Sequence, residues 1–170
     1  MTRFGEIGNI PPGAVFLANG SSSFSRLVRA ISLRNFPRDH YTHAGIYLGG
    51  RRRLIAHELY GPGATIQPLE EELASDSLVS VWAPPAPLVD VLRVCYENNA
   101  PYSLTASLMR ALGWPVPAKA GLICTEFVLR AYRSAGAPLM CDRVAGVLPN
   151  ELRDALESAA NWKLVFRQEK

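Results

Sequence analysis

The chain changes character at Pro84-Pro-Ala-Pro87. Ahead of that break, apolar residues come in short runs or alternate with polar ones; beyond it they recur at intervals of three and four. A strand-rich half followed by a helix-rich half is not the pattern of alternating βαβ units, and it predicts an α+β fold with a sheet packed against helices. No internal repeat or low-complexity tract divides the sequence. Its 170 residues, 48% of them hydrophobic, predict one domain over residues 1–170 with enough apolar material for a core.

In the first half, Pro11-Pro-Gly13 breaks the chain before a short apolar run, Ala14-Val-Phe-Leu-Ala18, with strand character. Phe24, Leu27, Val28 and Ile31 fall at helical spacing with Ser22 or Ser23 as N-cap, predicting a short helix within residues 21–33. Two strands, 43–48 and 53–59, are expected to form a hairpin turning at Gly49-Gly50. Another strand is predicted over 64–69, then an acidic run, Glu70-Glu-Glu72, that suits a first helical turn or an exposed loop. The stretch 78–82 reads as a strand, with Val79 and Val81 alternating against serines. Past the break the spacing predicts helices over 88–98, 104–112 and 123–135. Residues 137–170 leave two options open, a cap over a cleft or completion of the sheet through Trp162 to Phe166.

Charge excludes little. The formal balance is +3, and the one dense basic run, Arg51-Arg-Arg53, falls on the expected hairpin turn, so a solvated turn is favoured over a nucleic-acid surface. No apolar stretch reaches the ~18 residues of a membrane span, and the start of the chain lacks the basic-then-apolar pattern of a secretion signal; a cytoplasmic protein is expected. Cys95, Cys124 and Cys141 form neither a metal clip nor an evident disulfide framework, and His40, His43 and His57 lie far from any paired cysteines. Free thiols, no metal and no cofactor are therefore expected.

Among the three thiols, Cys124 is singled out by position. In Gly121-Leu-Ile-Cys-Thr-Glu-Phe-Val-Leu-Arg-Ala-Tyr132, steps of three and four from Cys124 reach Phe127 or Val128, Ala131 and Ala135, while Glu126, Arg130 and Arg133 lie off that stripe. The thiol is expected to face inward in the first turn of a helix, where free N–H groups and the dipole favour a thiolate. Cys95 reads as core within a helical run, and Cys141 sits in a loop without an activator.

His43 opens the strand Tyr41-Thr-His-Ala-Gly-Ile-Tyr-Leu-Gly49. Ala44 and Gly45 are small enough to let another element pack close to the imidazole, such as a helix carrying a thiol. On the second strand, alternation separates Glu58 from His57, so only one of them can share a face with His43. A carboxylate suits the task of fixing an imidazole's tautomer better than a second imidazole does, which favours Glu58 with His57 as the alternative.

Together, the strand led by His43, the strand ending in His57-Glu58 before Gly61-Pro-Gly63, the Ala100-Pro-Tyr102 segment and Cys124-Thr-Glu-Phe-Val resemble the circularly permuted papain-like amidases of the YaeF/YiiX type, in the NlpC superfamily. Pro12-Gly-Ala-Val-Phe16 and Phe24-Ser-Arg-Leu27 add to the likeness, which spans nearly residues 11 to 136. Ordinary NlpC-type hydrolases place the cysteine before the histidine; here the histidine comes first, as in the permuted order. The resemblance implies a permuted papain-like fold with Cys124 as nucleophile, His43 as general base and then acid, and Glu58 as the orienting third member. It also implies that Tyr102, and Tyr41 beside the histidine, contact substrate. Thr125 departs from the serine usual after the nucleophile, and His57 beside Glu58 leaves the third position ambiguous.

The implied reaction is hydrolysis of an amide or ester bond of a small peptide or acyl substrate through a thioacyl intermediate. Acyl transfer or thioester hydrolysis by the same pair, or a binding module that kept the fold, are the alternatives. Neither a nucleic-acid partner nor an oligomeric state is indicated.

Overall fold

The computed structural model describes residues 9–20, 25–26, 41–59, 63–76, 78–85, 109, 123–137, 139, 144 and 147–169; for Glu58, Leu59 and Gly63 the description stops at the backbone. The helices expected within 21–33, over 88–98 and over 104–112 lie outside the described residues, apart from Ser25, Arg26 and Met109.

Six strands form one antiparallel sheet: β1 Val15–Asn19, β2 His43–Gly49, β3 Leu54–Leu59, β4 Gly63–Pro68, β5 Leu78–Ala83 and β6 Lys163–Glu169. Their spatial order is β4-β3-β2-β1-β5-β6, which puts the strand led by His43 in the interior of the sheet. Helix α1, Leu69–Ser75, follows β4 directly; α2 is Cys124–Ser134 and α3 is Pro149–Ser158. The α+β architecture is the one expected, and Trp162 to Phe166 does lead into an edge strand.

At its centre the sheet is covered on both faces, which is why β1 reads as a continuous apolar run and is buried throughout. Alternation sorts its residues. Val15 and Leu17 join Ala44, Ile46 and Ala56 in a core shared with Phe127, Val128, Ala131 and Tyr132 of α2 and Leu152 and Leu156 of α3. Phe16 and Ala18 join Tyr47, Ile55, Val79 and Val81 in a second core with Leu69 and Leu73 of α1. The Tyr132 hydroxyl donates to the Gly13 carbonyl, tying α2 to the segment that enters β1.

Two local expectations differ from what is found. The hairpin turn spans Gly50–Arg53 and not the glycine pair alone: the Arg53 N–H donates to the Gly50 carbonyl at 3.0 Å, and Arg53 itself takes a φ of 48°. Arg51 and Arg52 are exposed there, as expected of a solvated turn. Ser80 is buried between its valine neighbours, because its hydroxyl accepts from the Trp82 indole N–H at 3.2 Å and so needs no water.

No helix among the described residues is long and apolar enough to cross a membrane.

Candidate active site

His43 is the first residue of β2 and pairs with Ala18 of β1. The backbone leading into that position is fixed. The Thr42 N–H donates to the Ala18 carbonyl at 2.9 Å, and the Tyr41 N–H donates to the Asn150 side-chain oxygen, from the first turn of α3, at 3.0 Å. Tyr41 is 2% exposed and belongs to the core beneath α2.

The register of β2 on β3 decides which neighbour of His43 shares its face. Gly45 pairs with His57 and Ile46 with Ala56, so His43, Gly45 and His57 lie on one side of the sheet. The Nε2 of His43 stands 2.8 Å from the Nδ1 of His57, with ring centroids 4.9 Å apart and planes inclined by 63°. Phe16 of β1 packs against both rings, 5.8 Å from each centroid to centroid. Glu58 pairs through its backbone with Ala64 of β4, and its side chain lies outside the described residues.

Gly45 makes room for Phe16 and not, as expected from the sequence, for the thiol-bearing helix. A Cβ at position 45 would stand 2.1 Å from the Phe16 ring and 2.7 Å from the Ala56 carbonyl oxygen. Ala44 is the residue that belongs to the core shared with α2, on the opposite face.

Cys124 is the first residue of α2, which packs across β2 and β3. The preceding Ile123 is extended and caps the helix without a side-chain hydrogen bond. Cys124 is 6% exposed and faces the core, as the helical spacing predicts. Glu126, expected off the apolar stripe, is also buried, at 2% exposure. The first turn of α2 is covered beyond that stripe: the Thr125 hydroxyl donates to the Val147 carbonyl, bringing the later chain over it. Tyr102, Cys95 and Cys141 lie outside the described residues.

The histidine pair continues into a polar group that sequence reasoning did not find. Glu72 of α1 brings its Oε1 to 3.5 Å from the His57 Nδ1, and that oxygen accepts from the Gln67 amide of β4 at 2.6 Å. Leu69, Glu72, Leu73 and Asp76 are the buried positions of this segment, spaced as one helical face. That spacing was the available signal. Glu72 and Asp76 stand in step with two leucines, whereas a run of three glutamates draws the eye to solvent.

Burial sets the electrostatics. Desolvation, with the neighbouring His57 adding to it, holds His43 well below the ordinary histidine value. His57 is lowered to about 4, again by burial, with a hydrogen bond to the Gln67 side chain acting in the opposite sense. Glu72 is pushed up to about 8 by burial and then by its bond to and repulsion from Asp76, with Glu71 adding to this and Gln67 opposing it. These shifts keep both rings uncharged at neutral pH and favour the protonated form of Glu72. Among the described residues, no three His, Cys, Asp or Glu side chains converge as a metal site would require.

The antiparallel sheet, with His43 leading an inner strand and Cys124 opening the helix packed on it, is the α+β arrangement that the permuted papain-like resemblance implies. The same fold is found in the crystal structure of the metalloprotein YiiX from Escherichia coli O157:H7 (DUF1105), with a TM-score of 0.67 over 95% of this chain and 99% of that one, at 12% sequence identity. The resemblance read from the sequence is thus borne out as a shared fold. No protein-family model and no curated protein sequence matches the chain.

Proposed function

We propose that this protein is a cysteine hydrolase that cleaves an amide or ester bond of a small peptide or acyl substrate, with Cys124 as nucleophile and His43 as general base and acid. The observation that carries this reading is the 2.8 Å contact between the His43 Nε2 and the His57 Nδ1 at the head of an inner strand, in a fold whose cysteine opens the helix packed on the other face of that strand. Catalytic imidazoles need a second group that fixes their tautomer, and His43 has one.

The chemistry follows from which nitrogen is engaged. A His43 that donates its Nε2–H to His57 keeps Nδ1 bare and able to take the thiol proton. The thiolate, favoured at the start of α2, attacks the substrate carbonyl carbon, and first-turn N–H groups of that helix stabilise the oxyanion. His43 returns the proton to the leaving amine or alcohol as the tetrahedral intermediate collapses to a thioacyl enzyme. Water, deprotonated by His43, then releases the acid. His57 takes the orienting role in this reading in place of Glu58, because the register puts it on the face of His43.

YiiX is described as a metalloprotein; among the residues described here, no three His, Cys, Asp or Glu side chains are arranged to hold a metal ion. The test is an activity screen of wild type beside Cys124→Ala with dipeptide, acyl-amide and thioester substrates, with and without an amine acceptor. Free acid from wild type alone is expected. A transfer product formed in preference to acid would make the protein an acyltransferase, and turnover by neither would leave a binding module.

A further inference from the structure

We propose that Glu72 is a positioning residue: held by Gln67 against His57, its carboxyl determines whether the His57 Nδ1 accepts from His43 or carries its own proton, and so which nitrogen His43 offers to Cys124. This rests on the hydrolase reading above. The geometry is an either-or. The Nε2 of His57 is buried without a hydrogen-bond partner, and Nδ1 is the nitrogen that approaches His43 Nε2 at 2.8 Å and Glu72 Oε1 at 3.5 Å, with the Gln67 side chain also beside the ring. A neutral imidazole has one proton to place.

If Glu72 is a carboxylic acid, it exerts no pull on that proton. The His57 Nδ1 is then a lone pair that accepts from the His43 Nε2–H, and the His43 Nδ1 is bare for the thiol. If Glu72 is a carboxylate, its charge draws the proton to the His57 Nδ1, which becomes a donor. His43 must then accept at Nε2 and carry its proton on Nδ1, where it blocks uptake from Cys124. Each ring keeps one proton throughout; only Glu72 releases one to solvent.

Burial makes the acid form available at neutral pH, since it pushes the Glu72 carboxyl up to about 8. The groups that face it are His57 from β3, Gln67 from β4, and Glu71 and Asp76 from α1 and the residue after it; Gln168 of β6 adds a neutral amide that donates to the Leu73 carbonyl at 3.0 Å. No cation is among them, so nothing in this group favours the carboxylate except the Gln67 amide.

The chain has three histidines, so the ring nitrogens of the uniformly ¹⁵N-labelled protein can be followed by NMR from about pH 6 to about pH 10. The expected result is a change of His57 from the Nε2–H to the Nδ1–H form with a midpoint near 8, and a matching change of His43 from Nε2–H to Nδ1–H. Glu72→Gln should abolish the transition, and Gln67→Leu should move its midpoint upward. A tautomer that ignores pH in wild type, which needs no variant to fold, overturns the proposal, as does a transition that survives in E72Q. Cys124 alkylation by iodoacetamide at neutral pH, compared between wild type and His43→Ala, separates the two layers. Indifference to His43 removes the hydrolase reading, whereas dependence on His43 without the tautomer change removes only the role of Glu72.

Discussion

His57 is joined to His43 by a 2.8 Å contact between ring nitrogens, and the two residues are diagonal neighbours on one face of the β2–β3 hairpin. A second imidazole serves as the orienting group only if it is itself uncharged, because two adjacent imidazolium ions repel. Burial supplies that condition, holding both rings below the usual histidine range.

Exchange of His57 tests its proposed orienting role against that of its sequence neighbour, Glu58. His57→Ala should slow turnover and Cys124 alkylation markedly, while Glu58→Ala should leave both near wild type. His43→Ala sets the scale, with a loss of roughly 10²–10⁴-fold expected for removal of a general base. A Glu58→Ala loss as large as that of His43→Ala would return the third position to Glu58. The measurement is kcat/KM with any substrate found by screening, together with the pseudo-first-order alkylation rate.

Gly45 is a packing requirement of the same site. Alanine there would put a methyl group 2.1 Å from Phe16 and 2.7 Å from a backbone carbonyl, and the ring it displaces is the one that packs on both histidines. Overpacking of this kind costs about 1–3 kcal/mol, which for a chain this long lowers the melting temperature by roughly 2–12 °C. Activity should fall further than stability does, measured well below the melting point, because the rings lose their support. Gly45→Ala paired with Phe16→Leu should recover part of the stability.

Much of this was legible in the sequence, and the exceptions have physical causes. The strands of the first half, the hairpin led by His43 and the inward Cys124 depend on periodicities of two and 3.6, which survive without coordinates. The choice between His57 and Glu58 does not. One residue of register reverses every face of a strand, and here the register shifts between Tyr47 and Gly49 at a turn longer than the glycine pair suggested. The role of Gly45 was misassigned for a related reason: a small residue announces close approach, but only the face it belongs to says what approaches. Glu72 was hidden because its burial depends on where α1 docks, which no local pattern fixes.

Asn150 was also illegible, since it reaches across 109 positions to accept from the Tyr41 N–H. The residue is 1% exposed, so loss of its side-chain oxygen withdraws a buried acceptor and should cost about 1–3 kcal/mol. Asn150→Ala should therefore lower the denaturation midpoint and slow Cys124 alkylation, because the backbone entering His43 is released. Asn150→Asp, which keeps an oxygen in that position, should retain more of both. Equal effects of the two substitutions would mean that the contact does not position the histidine.

Acid should unfold this protein through its histidines before most carboxylates are protonated. A folded-state value below that of the unfolded chain means that the unfolded state binds more protons, so the stabilisation is complete above about pH 6.5 and is lost as pH falls toward the folded value. For His57 the window runs from about 6.5 down to about 4 and corresponds to roughly 3 kcal/mol. His43 adds to the loss in the same direction. Glu72 acts oppositely: its raised value gives stability that is full below the ordinary carboxylate range and declines as pH rises to about 8. Denaturant melts across this range should show His57→Gln less sensitive to acid than wild type between pH 6.5 and 4, and Glu72→Gln less sensitive to base up to about 8. Parallel curves for His57→Gln and wild type would mean that the buried ring does not resist protonation, and the uncharged histidine pair would have to be abandoned.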